Sequence, residues 1–368
     1  MKNKIHKQKI NALSLFASSG IGEFYLDDIN INVKVANELL ENRADIYQKL
    51  YPKSNMICGD ITDSKIYKKI IKAAKKEKCN LVIATPPCQG MSVAGKMDKN
   101  DSRNTLIISA IDSILDLNAD FALIENVVGM LKFVIKVGNK WIKITDYILS
   151  KLDNNYNISF NIVNVADYGT PQSRKRAIIL ISKRNLKINW EIPDKEKHIT
   201  VEEAIGHLPS LESEEKSDIK YHYAKKHKAD HILWMKNTAT GQTALNNKKY
   251  FPNINGRKIK GFLTTYKRIR WDAPSPTITM CNGAVSSQNN VHPGRKNKDG
   301  TYSDARVLTL LELFLLMGLP SDPGFPEEAT ETQIRHVLGE AVPPILLKKI
   351  LSQILLNKNS QTKLFIDY

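Results

Sequence analysis

Acidic residues are scarce in this chain. Asp and Glu number 38 against 54 Lys and Arg, so the formal net charge is +16 at pH 7. Such an excess excludes an acidic, polyanion-mimicking protein and points to a phosphate-rich partner. Cysteine is rarer still: Cys58, Cys79, Cys88 and Cys281 are the whole supply, and no CxxC pair occurs. That argues against a zinc site and against a disulfide framework, and it fits a reducing cytoplasm. No metal-ligand spacing is present, so no metal is expected. No apolar run reaches the roughly 20 residues needed to cross a bilayer, so no membrane is expected. The first ten residues, MKNKIHKQKI, lack the apolar centre of a secretory signal. Internal repeats and low-complexity tracts are also missing. What remains is an ordinary globular composition, 42% apolar over 368 residues. That is enough chain for a large domain and a smaller one.

The stretch that organises the chain is Leu81-Val82-Ile83-Ala84-Thr85-Pro86-Pro87-Cys88-Gln89-Gly90-Met91-Ser92. Its apolar start reads as a buried strand. The two prolines end that strand, because proline cannot donate to a ladder. Cys88 therefore stands at the carboxyl end of a strand, where ligands gather in open α/β sheets.

Other strand ends carry polar groups in the same way. Asn11 to Phe16 reads as the first strand, followed by a small-residue turn, Ala17-Ser18-Ser19-Gly20-Ile21-Gly22, and the first turns of a helix from Glu23 to Asp28. Asn32 to Asn37 is the second strand and ends at Glu38, with Leu39 next. Ser54 to Cys58 is the third, followed by Gly59-Asp60-Ile61. A glycine turn and two acids at successive strand ends suit a nucleoside, with Glu38 on the ribose hydroxyls and Asp60 on an adenine amino group. Arg103 to Leu117 has helical spacing, with Leu106, Ala110, Ile111, Ile114 and Leu115 on one side. Ala119 to Ile124 is the next strand and ends in Glu125-Asn126-Val127, a carboxylate facing the cysteine's strand end. Tyr156 to Val165 and Ala177 to Ile181 are further strands. Between them, alternation would put Arg174 and Arg176 on one face of an extended segment.

Regular βα alternation stops near Ser182. A second domain is expected over 184–305, between a first domain over 1–183 and a return to it over 306–368. From Lys220 to Gly300, sixteen Lys and Arg stand against three acids, which reads as a phosphate-binding face. Thr309-Leu310-Leu311-Glu312 fits a capping box, and Ile345 to Leu356 reads as a closing amphipathic helix.

These motifs, in this order, resemble the cytosine carbon-5 DNA methyltransferases of bacterial restriction-modification systems. Phe16 to Gly22 resembles their first motif. Glu38 and Asp60-Ile61 resemble the cofactor contacts, and Pro86-Pro87-Cys88-Gln89 the nucleophile motif. Asp101 to Leu106, Glu125-Asn126-Val127, Gln172 to Arg176, Arg268 with Pro274 to Thr279, and Gly339 to Pro344 follow in the family's order. Three departures stand out: Ser18 where glycine is usual, Met91 for phenylalanine, and Glu340 for the asparagine of the last motif.

The resemblance implies an α/β protein, a Rossmann-like class I S-adenosylmethionine-dependent methyltransferase domain with a smaller target-recognition domain. It implies S-adenosyl-L-methionine as cofactor, held by Phe16, Gly20, Ile21, Gly22, Glu38, Leu39, Asp60, Ile61, Pro87, Leu106, Glu340, Ala341 and Val342. Cys88 would add to carbon 6 of a cytosine flipped out of duplex DNA, which makes carbon 5 nucleophilic. Glu125, protonated or sharing a proton, would bond ring nitrogen 3, Arg174 would hold the ring oxygen and Asn126 would orient the loop. Arg174, Arg176 or the loop backbone are candidates to help deprotonate the thiol. The expected protein is a cytoplasmic monomer acting on duplex DNA, with a cognate restriction endonuclease as a further partner. A tRNA methyltransferase of the same family and a non-catalytic nucleic-acid-binding relative are the alternatives.

Overall fold

The computed structural model describes residues 10–87 and 101–364, the side chains of 356–364 excepted. Its centre is a seven-stranded sheet. The strands are β1 Ile10–Leu15, β2 Ile31–Glu38, β3 Asn55–Cys58, β4 Leu81–Ala84 and β5 Phe121–Asn126, then β8 Tyr156–Asn164 and β9 Lys175–Lys183. The hairpin β6 Val134–Val137 and β7 Lys140–Lys143 forms a separate ribbon. The sheet order is β3-β2-β1-β4-β5-β9-β8. The first five strands run parallel, and β9 is antiparallel to both neighbours.

The sequence explains which strands are central. Every residue of β4 and β5 is buried, as expected of strands covered on both faces and written as continuous apolar runs. Four helices flank this part: α1 Glu41–Leu50, α2 Ser64–Lys76, α3 Leu106–Leu117 and α4 Ile144–Leu152. Asp63 caps α2 by accepting from the Lys65 amide at 2.7 Å, and Lys75 and Lys76 sit in its last turn, where cations suit the helix dipole. α3 buries Ile107, Ala110, Ile111 and Ile114 in the core shared with Leu13, Val82 and Ile124. Leu115, expected on that face, is exposed, because the stripe at i, i+3, i+4, i+7 begins at Ile107 and leaves it on the flank.

The helix expected from Glu23 to Asp28 is instead two 3₁₀ turns, Ile21–Glu23 and Asp27–Ile29. Only eight residues separate Gly22 from Ile31. A chain that must return to the next parallel strand so soon has no room for two α-turns.

The chain divides into two compact units. Unit 1 is Met1–Asn164, Lys175–Asp194 and Leu347–Tyr368; unit 2 is Val165–Arg174 and Lys195–Leu346. The borders expected from composition were 183/184 and 305/306. Unit 2 has little regular structure: α5 Val201–Ile205, α6 Ala229–Lys236, the two-residue strands β10 Asn253–Ile254 and β11 Arg257–Lys258, α7 Leu310–Leu316 and α8 Glu331–Glu340. α9, Pro344–Leu364, closes the chain. With so few ladders, side chains must satisfy the backbone. Arg268, fully buried, donates to the carbonyls of Met235, His292, Ser303 and Asp304. Burial lowers its pKa to about 10. Arg306, also fully buried, binds both oxygens of Glu312 at 2.8 and 2.9 Å and Asp304 at 2.8 Å. Glu312 also closes the capping box of α7 with Thr309. Burial alone would raise the Glu312 pKa; Arg306 overrides it and holds it at about 2. No described helix is long and apolar enough to cross a membrane.

Candidate functional site

Cys88, with Gln89, Gly90, Met91 and Ser92, lies outside the described residues, so the site is followed to Pro87. In unit 1 the strand ends are tied together by a line of hydrogen bonds. Thr85, just past β4, donates its hydroxyl to the Phe16 carbonyl past β1 at 3.0 Å. The Asn126 side chain, at the end of β5, donates to the Pro86 carbonyl at 2.9 Å. It accepts from the Val127 amide at 2.8 Å. Glu125, one residue earlier, pairs with Arg176 Nε of β9 at 2.8 Å, both side chains being largely buried. The backbone two residues before Cys88 is therefore held by the amide next to the Glu125–Arg176 pair.

The turn after β1 is wound tightly. Phe16, Ser18 and Gly20 have φ of 60°, 47° and 74°, in the left-handed region that L residues other than glycine visit at about 1 kcal/mol or more. A methyl group at Gly20 would lie 2.4 Å from a ring carbon of Tyr51 and 2.7 Å from one of Tyr47, so only glycine fits. At Ser18 the φ is one that glycine adopts more readily. The Tyr51 hydroxyl donates to the Gly20 carbonyl at 2.7 Å. Glu38 Oε2 accepts from the Ser18 amide at 2.8 Å and Oε1 from the Leu40 amide at 3.0 Å. Each carboxylate oxygen keeps a second lone pair for a hydroxyl donor. Leu39, directly after Glu38, is 59% exposed, a large apolar side chain left bare beside the acid. Asp60, exposed, accepts from the Thr62 amide and hydroxyl at 2.8 Å. Ile21 and Ile61 are buried, Gly22 lies within the first 3₁₀ turn, and Leu106, partly buried against the core, opens α3.

This donor set fits an adenosine-bearing cofactor. Glu38 stands at the end of β2, Asp60 follows β3 and Leu39 offers an apolar face, as a ribose, an adenine amino group and an adenine ring require. Unread in the sequence is the support beneath the turn. Glu23 is buried and takes hydrogen bonds from Ser14 and from the Tyr47 hydroxyl, the latter at 2.6 Å. Burial pushes its pKa up to about 7, against those two bonds, which lower it. A local sequence signal for this carboxyl does not exist, since its partners come from β1 and α1.

Arg176 lies in β9 and Arg174 just before it. Strand β9 begins at Lys175, so the alternation assumed for both does not reach Arg174. Its guanidinium is buried in unit 2 and donates to the carbonyls of Ile278, Gly339 and Glu340 at 3.0 to 3.2 Å. These bonds brace the 278 and 339–340 backbones. Neighbouring bonds add to the brace. The Ser173 amide donates to the Ser275 carbonyl at 2.7 Å and the Ile278 amide to Gln172 at 3.2 Å. Glu340 ends α8, Ala341 caps it and Val342 is buried. Among the described residues no group of His, Cys, Asp and Glu could hold a metal ion.

Comparison with known proteins places these features in context. The family model for the C-5 cytosine-specific DNA methylase matches residues 10–356. The chain is 47% identical to the type II methyltransferase M1.HgaI of Avibacterium volantium, over 95% of this chain and 99% of that protein. Among solved structures, a putative DNA modification methyltransferase from an Escherichia coli prophage superposes with a TM-score of 0.68 at 20% identity, over 95% of this chain and 100% of the other. A Spodoptera frugiperda DNMT2 variant gives 0.64 at 16%, over 95% and 100%. These two likenesses bear on the fold, which is the α/β arrangement with a mostly parallel sheet.

Proposed function

The chain belongs to the C-5 cytosine-specific DNA methylase family, and we propose from that premise that Cys88 attacks carbon 6 of a cytosine turned out of a duplex DNA site. The enzyme is a DNA cytosine carbon-5 methyltransferase of the type II restriction-modification kind. The observation that carries the residue assignments is the tied line of strand ends, Thr85 to Phe16, Asn126 to Pro86 and Glu125 to Arg176.

Asn126 fixes the backbone that delivers Cys88. The thiolate adds to carbon 6, and the ring electrons shift so that carbon 5 becomes nucleophilic. Glu125, oriented by Arg176, shares a proton with ring nitrogen 3, donating it to that nitrogen as charge develops on attack. Arg176, paired with Glu125, is the arginine this reading assigns to the base. S-adenosylmethionine, when bound by Glu38, Leu39, Asp60 and the 16–22 turn, supplies the electrophilic methyl group. Loss of the carbon-5 proton to a base then expels Cys88 and restores the aromatic ring. Unit 2, with its run of Lys and Arg, supplies phosphate contacts and the choice of sequence. A cognate endonuclease with the same recognition site is the partner that a restriction-modification setting implies.

The test offers the protein duplex DNA and bulk tRNA with methyl-labelled S-adenosylmethionine, digests both and identifies the labelled nucleoside. The expected product is 5-methyldeoxycytidine from DNA. Label confined to tRNA would favour the tRNA-modifying alternative.

A further inference from the structure

Among the described residues, the three most exposed large apolar side chains are Phe262 at 77%, Ile254 at 69% and Leu263 at 64%. Scattered exposed leucines are normal, but these three share one ten-residue stretch, and clustered apolar exposure marks a contact surface. The stretch is built as two tight turns in unit 2. In the first, β10 and β11 pair with Ile254 opposite Arg257 around Asn255-Gly256. Both turn residues have positive φ, 51° and 77°, the Asn-Gly hairpin whose twist matches its strands. Asn253 accepts from the Gly256 amide and donates to the Phe251 carbonyl, both at 3.1 Å. In the second turn, Thr265 closes on the Phe262 carbonyl through its amide at 2.9 Å and its hydroxyl at 2.8 Å. The Thr264 carbonyl takes the Asn289 amide at 2.8 Å. Tyr250 and Tyr266 anchor both turns to a small core of Trp234, Met235, Ala244, Val285 and Val291. The backbone is tied down while the side chains at the tips stand in water.

The chemistry of those tips is mixed. No acid occurs in the forty-one residues from 231 to 271, which hold nine Lys and Arg. Lys249 and Lys258 lie over the rings of Tyr250 and Phe251, 5.1 Å from each centroid. The exposed Asn255 and Arg257 side chains have no hydrogen bond or ion pair to the described residues. A surface that served phosphates alone would need charge only, and a bare Phe-Leu pair gains nothing from a phosphate. Base edges offer both kinds of contact, donors and acceptors for Asn and Arg, and methyl groups and ring edges for apolar side chains.

We propose that this twin-turn element, residues 253–265, reads base edges of duplex DNA and sets which site is methylated, Asn255 and Arg257 as its polar contacts and Phe262 and Leu263 as its apolar ones. Asn253, whose amide is spent inside the hairpin, is a framework residue. The proposal rests on unit 2 contacting DNA, and its test uses binding, so that it stands or falls apart from the catalytic reading. Duplexes bound by the full-length protein are selected from a random-sequence pool. The parent is compared with Arg257→Ala, with Phe262→Ala/Leu263→Ala, and with Lys225→Ala/Lys226→Ala/Lys228→Ala as a charge control. The expected result is a preferred site for the parent. Its enrichment over random sequence falls about tenfold or more in the two turn variants, at unchanged melting temperature. Arg257→Ala alters the preference at a defined base pair. The control lowers the salt dependence and keeps the site, because phosphate contacts carry no base information. Equal enrichment of the same site by the turn variants, or no preferred site for the parent, overturns the proposal. A parent that selects a site yet methylates no cytosine in it would instead overturn the catalytic reading.

Discussion

Arg176 Nε lies 2.8 Å from Glu125 Oε1, across the antiparallel pairing of β9 with β5. The pair is nearly closed to water, so the arginine fixes the direction in which the carboxyl group presents itself. Arg176→Lys keeps a positive charge but loses the planar fork that orients a carboxylate. We expect methyl transfer to fall by about 10²–10³, with duplex binding retained and the melting temperature little changed. Single-turnover transfer rates beside a binding titration check this. A loss confined to DNA affinity would show that Arg176 serves a phosphate.

Arg174, two residues earlier, predicts a different outcome. Arg174→Ala removes the donors to three carbonyls, those of Ile278, Gly339 and Glu340. Leaving buried polar groups without partners costs on the order of 1–3 kcal/mol each, so unfolding free energy should drop by roughly 3 kcal/mol or more. Denaturant unfolding of the Arg174 and Arg176 variants side by side separates the two roles. Equal stability of Arg174→Ala and parent contradicts the bracing role.

Glu23 makes stability depend on pH in a stated direction. Its folded pKa, raised by burial to about 7, lies above the unfolded value of 4.5. The buried carboxyl is neutral at low pH, and its contribution is complete below the unfolded value. It is lost as pH rises from 4.5 through 7, roughly 3 kcal/mol at most. His292 runs the other way, because burial lowers its pKa to about 4 and low pH favours the unfolded state. The difference between Glu23→Gln and parent isolates Glu23. The variant's advantage should be small at pH 5 and large at pH 8 in thermal melts, and parallel pH curves would remove the role given to Glu23.

Much of this was readable in the chain and some was not. The strands around Cys88 were legible because β4 and β5 are continuous apolar runs ended by Pro86-Pro87 and by Glu125-Asn126. The capping box at Thr309 and Glu312 was legible because it is local. The double duty of Glu312, which also binds Arg306, was hidden because that pairing depends on how the loops of unit 2 fold. Glu23 was hidden because its partners, Ser14 and Tyr47, come from β1 and α1. Arg174 was grouped with Arg176 by carrying strand alternation to one residue before β9 begins. The β6–β7 hairpin went unread because each of its strands is only four residues long, although Val134, Ile135, Val137, Trp141 and Ile142 are apolar.

The central claim is a covalent bond from Cys88 to cytosine. Duplex DNA carrying 5-fluorocytosine at the target provides the most direct test, because fluorine at carbon 5 cannot leave as a proton does and the adduct persists. With S-adenosylmethionine present, the parent should give a complex that survives boiling in detergent, one protein per duplex, with peptide mapping locating the base on Cys88. Cys88→Ala should give none. A stable complex formed equally by Cys88→Ala, or methyl transfer to carbon 5 by that variant at the parent rate, would contradict the account.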